Sequence, residues 1–256
     1  MKIALCLSGQ ARQWKTCYQN WFDNLSHLNA NIDVFFHFWD YNSMPRQIWT
    51  SNQNGHALSF DPVLLTNEEK AEIIQTLKPK SFVFESKLSV PSEFYEVKNP
   101  ICCWSLDQFN SLMKCAHLKR QHEISTNTRY DVVIRMRSDL FFTIPIDIKP
   151  PQPNTVYITH PFWEKEWNAF RISDIFFWAD SATYDQAAAF HDHLPFIEAD
   201  YINNDPNKLD YPPELALYYY FKSCGLLIRS SWPNIKVMRS KDYVDLKGRI
   251  DNYEII

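Results

Sequence analysis

The sequence predicts an α/β fold, a mainly parallel sheet with helices on both faces. Two observations carry that expectation. Short apolar runs alternate with segments of helical periodicity through residues 1–140, the order that builds parallel sheets through crossover helices. The first run, Ile3-Ala4-Leu5-Cys6-Leu7, is continuous rather than alternating, as in strands buried on both faces.

Each element has its own signature. After the turn Ser8-Gly9-Gln10, apolar residues recur at Trp14, Cys17, Tyr18, Trp21, Phe22 and Leu25, a helical stripe. Ile32 to Phe38 is the second strand. Thr66 and Glu69 form a capping box ahead of a helix that turns Ala71, Ile73, Ile74 and Leu77 inward. Pro79 stops it, and Phe82-Val83-Phe84 is the third strand. A helix from about Leu106 to Arg120 leads into the strand at 131–137. Pro145 and the run Pro150-Pro151-Gln152-Pro153 then change the texture of the chain. Beyond them lie a short strand at Val156-Tyr157-Ile158, a polar aromatic loop from His160 to Phe170, and the apolar run Ile175 to Trp178. A helix follows from about Ser181 to His191. A last helix opens at Pro212-Pro213-Glu214 and closes at Gly225, proline at its start and glycine just past its end.

Composition narrows the function classes. The 256 residues suffice for one substantial domain. A net charge of −4 excludes a large phosphate-tracking surface as the default, so polynucleotide binding is not expected. Six cysteines show no C-x-x-C or zinc-like spacing and sit in apolar patterns, reading as reduced core residues. No segment approaches transmembrane length, and the apolar start is too short for a signal-peptide core. The expectation is a cytoplasmic protein without integral membrane association.

The most informative stretch is Tyr130-Asp131-Val132-Val133-Ile134-Arg135-Met136-Arg137-Ser138-Asp139. Its apolar residues mark a buried strand, yet Arg135, Arg137 and Asp139 fall on one face because side chains two apart point the same way. Buried guanidinium groups need an anionic partner or a wet cleft. The pattern reads as the floor of a phosphate site, with an Arg137–Asp139 salt bridge as the plainer alternative. In open α/β sheets ligands bind beyond the carboxyl ends of the strands, which places Ser8-Gly9-Gln10, His37 to Asp40, Glu85 and Arg137 to Asp139 on one edge. Gly9 allows a tight turn whose amides at a helix start can meet a phosphate, and Arg12 can add a bidentate contact. The turn is neither G-x-G-x-x-G nor a Walker loop. Asp139 is the candidate ligand for magnesium or manganese; alternatively Arg135 and Arg137 neutralise a diphosphate without metal. Asp174 and Glu214 are candidate general bases, although a glutamate in a first helical turn also serves the helix dipole. His37 reads first as a satisfied core histidine and only second as a catalyst.

Three blocks, Lys2 to Arg12, Asp33 to Asp40 and Tyr130 to Asp139, resemble those of a group of glycosyltransferases of phages, large viruses and bacterial surface-polysaccharide loci. Ile172-Ser173-Asp174 and Pro213-Glu214-Leu215 look like its later blocks. The resemblance implies a GT-A-like, Rossmann-like fold, a nucleotide-sugar donor and an acidic metal-binding motif after the central strand. Here Arg137 stands where the first aspartate of Asp-x-Asp would be. On this basis residues 1–256 form one domain, 1–140 being the nucleotide-binding half and 141–256 the acceptor-side half. Ser8, Gly9, Gln10, Arg12, His37, Arg135 and Arg137 would bind the nucleotide sugar, and Asp139, Asp174 and Glu214 would be catalytic. Asp139 would also hold the divalent cation. The acceptor would be a glycan or another hydroxyl, including a modified DNA base. The rival reading is a non-catalytic nucleotide- or glycan-binding module of the same fold. A metal-dependent hydrolase is disfavoured, because the clustered His and Asp residues of a two-metal site are missing from the sequence.

Overall fold

The computed structural model describes residues 1–41, 64–86, 100–159, 162–164, 169–193, 213–231 and 235–237. Its centre is a seven-stranded mixed sheet built from β1 (Lys2–Gln10), β2 (Asn31–Trp39), β3 (Ser81–Glu85), β4 (Val132–Met136), β6 (Thr155–Thr159), β9 (Phe176–Ala179) and β10 (Leu227–Ser231). The strands lie in the order β10-β6-β9-β4-β1-β2-β3. All neighbours run parallel except β9, which is antiparallel to both β4 and β6. The sheet is thus mainly parallel, and one reversed strand sits near its middle.

Alternation along the strands sorts the core into two layers, as the pleat requires. Ile3, Leu5, Leu7, Ile134 and Met136 face one side and pack on Trp14, Cys17, Trp21 and Leu25 of α1 (Trp14–Ser26), and Ile73 and Leu77 of α2 (Asn67–Leu77). Ala4, Cys6, Phe35, Val133 and Phe177 face the other. There they meet Phe109, Leu112 and Cys115 of α3 (Pro100–Thr126), Tyr184 of α4 (Ser181–Ala188), and Leu217 and Phe221 of α5 (Pro213–Ser223). Cys6, Cys17 and Cys115 are buried free thiols in these layers.

Local signals read from the sequence act as expected at both kinds of helix end. Thr66 and Glu69 bond reciprocally: the Glu69 N–H donates to Thr66 Oγ1 (3.1 Å) and the Thr66 N–H to Glu69 Oε2 (2.8 Å). Gly225 ends α5 at φ +69°, where only glycine is unstrained, and Leu226 N–H reaches back to Phe221 O.

Three expectations need correction. Helix α3 is longer than periodicity showed, reaching Thr126 rather than Arg120. The loop expected from His160 to Phe170 lies partly outside the described residues. Within and just past it, β7 (Phe162–Glu164) and β8 (Ala169–Arg171) form an antiparallel hairpin. The turn expected at Ser8-Gly9-Gln10 is instead the end of β1, which stays in register with β2 through Gln10, while α1 begins at Trp14, where the helical stripe begins. Among the described residues no helix is long and apolar enough to cross a membrane.

Candidate functional site

A shallow, solvent-open cleft of about 90 Å³ lies at the carboxyl edge of β1 and β2, beyond the end of β4. Ser8, Gly9, Gln10, Arg12, Trp39, Tyr41, Asp107, Gln108, Arg137 and Asp139 line it. Six of the residues singled out in the sequence therefore meet in one place.

The turn after β1 is held from beneath. Ser138, fully buried, donates to both Gln10 O (2.7 Å) and Arg12 O (2.9 Å). Arg12 Nε donates to Gln10 Oε1, folding the two side chains together. Gly9 takes φ +110°, a conformation side-chain-bearing residues rarely adopt. Its N–H, expected to await a phosphate, donates instead to Ser111 Oγ of α3 at 2.7 Å. The anion site at a helix start is thus not built at Gly9: its amide is occupied and the helix begins several residues later.

Asp139 stands between β4 and β5 (Leu140–Phe142). Helix α1 straps that junction, since Trp21 Nε1 donates to Leu140 O (2.6 Å) and Asn20 bonds both the N–H and the O of Phe142. The carboxylate is buried and faces Arg137: Nε donates to Oδ1 (2.9 Å) and Nη2 to Oδ2. Burial opposes the Arg137 charge, but Asp139 and then Asp174 outweigh it, so its pKa lies above the ordinary guanidinium value. The salt bridge weighed as the plainer alternative is present, and it lines the cleft.

That pair bears on the divalent cation. With both Asp139 oxygens engaged by Arg137, an ion about 2.1 Å from either oxygen would lie roughly 5 Å from the guanidinium. The repulsion, on the order of 6 kcal/mol at an effective dielectric of 20, offsets part of the attraction a lone carboxylate offers, so further ligands would be needed. Among the described residues no group of three or more His, Cys, Asp or Glu is placed to hold a metal. These residues do not fit a divalent-ion site.

Arg135 is elsewhere. One residue along the strand from Met136, it pairs in register with Cys6 and Phe177 and is fully buried under α3 and α4, not in the cleft wall. None of its side-chain nitrogens has a hydrogen-bond partner among the described residues. Burial pushes its pKa down to about 10, against the attraction of Asp174. The expectation that it braces phosphates is corrected: the guanidinium is sealed in the core.

Asp174 reaches the same edge because β9 runs backwards. Met136 pairs with Phe176, so the residues just before β9 sit beside the end of β4, and Arg137 N–H donates to Ile175 O (3.2 Å). Asp174 does not line the cleft itself, but Gln108, which does, donates Nε2 to its Oδ2. His37 is buried, bonded to Ser111 Oγ through Nδ1 (2.9 Å) and to Glu85 through Nε2 (2.7 Å). Burial lowers its pKa despite Glu85. It supports the end of β1 through Ser111, which holds Gly9 N–H, without lining the cleft. Glu214 lies in the first turn of α5, where Ile172 N–H meets its backbone O (3.3 Å), and is not part of the cleft.

Trp39 lies in the stretch from His37 to Asp40 expected at this edge, and it lines the cleft. Sequence reasoning missed Tyr41, Asp107 and Gln108 as cleft residues; Tyr41 lies just past the end of β2, which the edge rule could have reached. Asp107 and Gln108, at a polar point of α3, carried no such signal. No protein-family model and no curated protein matches the chain.

Proposed function

We propose that this chain is a glycosyltransferase on a GT-A-like sheet, moving a sugar from a nucleotide-diphosphate donor to a hydroxyl acceptor. The observation that carries this reading is the cleft in which Arg12 and Arg137 stand beside the rings of Trp39 and Tyr41, at the edge where α/β sheets receive ligands. Cations match a diphosphate, and aromatic faces match a base or sugar ring. The donor lies along Ser8-Gly9-Gln10-Arg12 toward Arg137, and Asp139 orients Arg137. If the reaction inverts the sugar's configuration, Asp174, held beside the cleft by Gln108, is the base that takes the proton of the acceptor hydroxyl. The acceptor oxygen then bonds to the anomeric carbon as its bond to the diphosphate breaks, and the nucleoside diphosphate leaves with that electron pair. The net charge of −4 favours a glycan over DNA as acceptor.

A thermal-shift panel of nucleotide sugars finds the donor, and a transfer assay follows. A specific donor at a hundredfold excess over Kd adds about 2.7 kcal/mol of stability. Asp174→Asn is expected to cut turnover at least about 100-fold, the scale of general-base catalysis. Wild-type turnover in both Asp174→Asn and Asp139→Asn rejects the active-site assignment.

The second reading, a non-catalytic binding module, draws on the same Arg137–Asp139 pair, which ties each oxygen of the buried carboxylate to the guanidinium. It predicts calorimetric donor binding with neither transfer nor slow donor hydrolysis.

A further inference from the structure

We infer that Arg137 is the fixed cation of the donor site, so that a nucleoside diphosphate binds without a divalent ion; this rests on the nucleotide-sugar reading above. Three observations carry it. Arg137 and Asp139 are stacked in depth: the side chain of Arg137 is 25 % exposed and that of Asp139 only 3 %. An anion entering the cleft therefore meets the guanidinium before the carboxylate. Asp139 takes two of the five guanidinium N–H groups, and among the described residues the others donate to no further group, which leaves them for phosphate oxygens. The carboxylate behind fixes the fork's orientation, as bidentate pairs do. Third, the cation position facing Asp139 is already filled by a group that repels a metal ion, and no cluster of three or more metal-binding side chains exists among the described residues. Asp139 is then a positioning residue that acts through Arg137.

The backbone completes the arrangement. Arg137 N–H is held by Ile175 O at 3.2 Å, so the strand end cannot swing to expose Asp139 without breaking its link to the residues before β9. Asp174 adds a second negative charge that favours the Arg137 cation.

The test is titration calorimetry of the wild-type chain with UDP, GDP, ADP and CDP, each in EDTA and again in manganese chloride. The expected result is binding of at least one nucleotide with Kd values within threefold of each other in the two buffers. Arg137→Met, with its fold checked by circular dichroism, is expected to weaken that binding at least tenfold, with no recovery on adding manganese. Affinity that rises tenfold or more with manganese overturns the inference while leaving the nucleotide-sugar reading in place. A folded Arg137→Met chain with wild-type affinity also overturns it. Binding of no nucleotide in either buffer overturns the donor reading itself, and this inference with it. If Arg137→Met fails to fold, the comparison of buffers on the wild-type chain decides alone.

Discussion

Replacing Arg135 with methionine tests whether a buried charge can be a net burden on this fold. The guanidinium is fully buried, its nitrogens have no hydrogen-bond partner among the described residues, and burial holds its pKa down at about 10. A displacement of that size corresponds to about 3 kcal/mol against the charged form. Methionine fills a similar volume among Cys6, Phe177 and Tyr184 without a charge, and such exchanges stabilise by about 1–4 kcal/mol when the replaced charge is poorly compensated. Losing the attraction to Asp174 offsets part of that gain, so the expected net is about 1–2 kcal/mol. For a chain of this size the melting temperature should rise by roughly 2–4 °C per kcal/mol. Urea denaturation with a matched thermal melt measures it. A loss of 3 kcal/mol or more would refute the reasoning, because that is the signature of breaking a satisfied buried pair.

Other outcomes are expected at the supporting residues. Ser138→Ala removes the hydroxyl that holds Gln10 O and Arg12 O. It should cost about 0.5–1.5 kcal/mol in urea denaturation, the net worth of one hydroxyl hydrogen bond, because Gln10 O keeps the Arg12 N–H at 2.8 Å. Thr66→Ala should cost about 1 kcal/mol by the same assay, through loss of the capping box. His37 has a lowered pKa in the folded chain, so on acidification the unfolded chain takes up its proton first. Stability should therefore fall as pH drops from the ordinary histidine range through the folded pKa, by at most about 1.4 kcal/mol per pH unit from this group. Urea midpoints between pH 7 and pH 5 measure the slope, and His37→Gln should flatten it; an unchanged slope would mean that another group titrates.

Much of the architecture could be read from residue spacing, and the limits have physical causes. The two-residue period of Val132 to Arg137 correctly separated Ile134 and Met136 from Val133 and Arg135. The direction of β9 could not be read, since an apolar run such as Phe176-Phe177-Trp178 is identical in either sense. That reversal is what carries Asp174 to the edge of the cleft. Arg135 and Arg137 look equivalent in sequence, but strand β4 ends at Met136. One guanidinium is therefore roofed by helices and the other opens into the cleft. The roles of Ser111 and Ser138 were invisible, because a hydroxyl's partners more than a hundred residues away leave no trace in local spacing.

The reversed strand has a topological consequence. Strand β6 finishes at the carboxyl edge and β9 starts there, so the chain between Thr159 and Phe176 departs from and returns to the same rim. The β7–β8 hairpin belongs to this excursion. Lengthening, shortening or rewriting it would change that rim while every rung of the central sheet stayed in register. On the transferase reading proposed above, a graft of that excursion alone is the economical test of whether it influences acceptor choice.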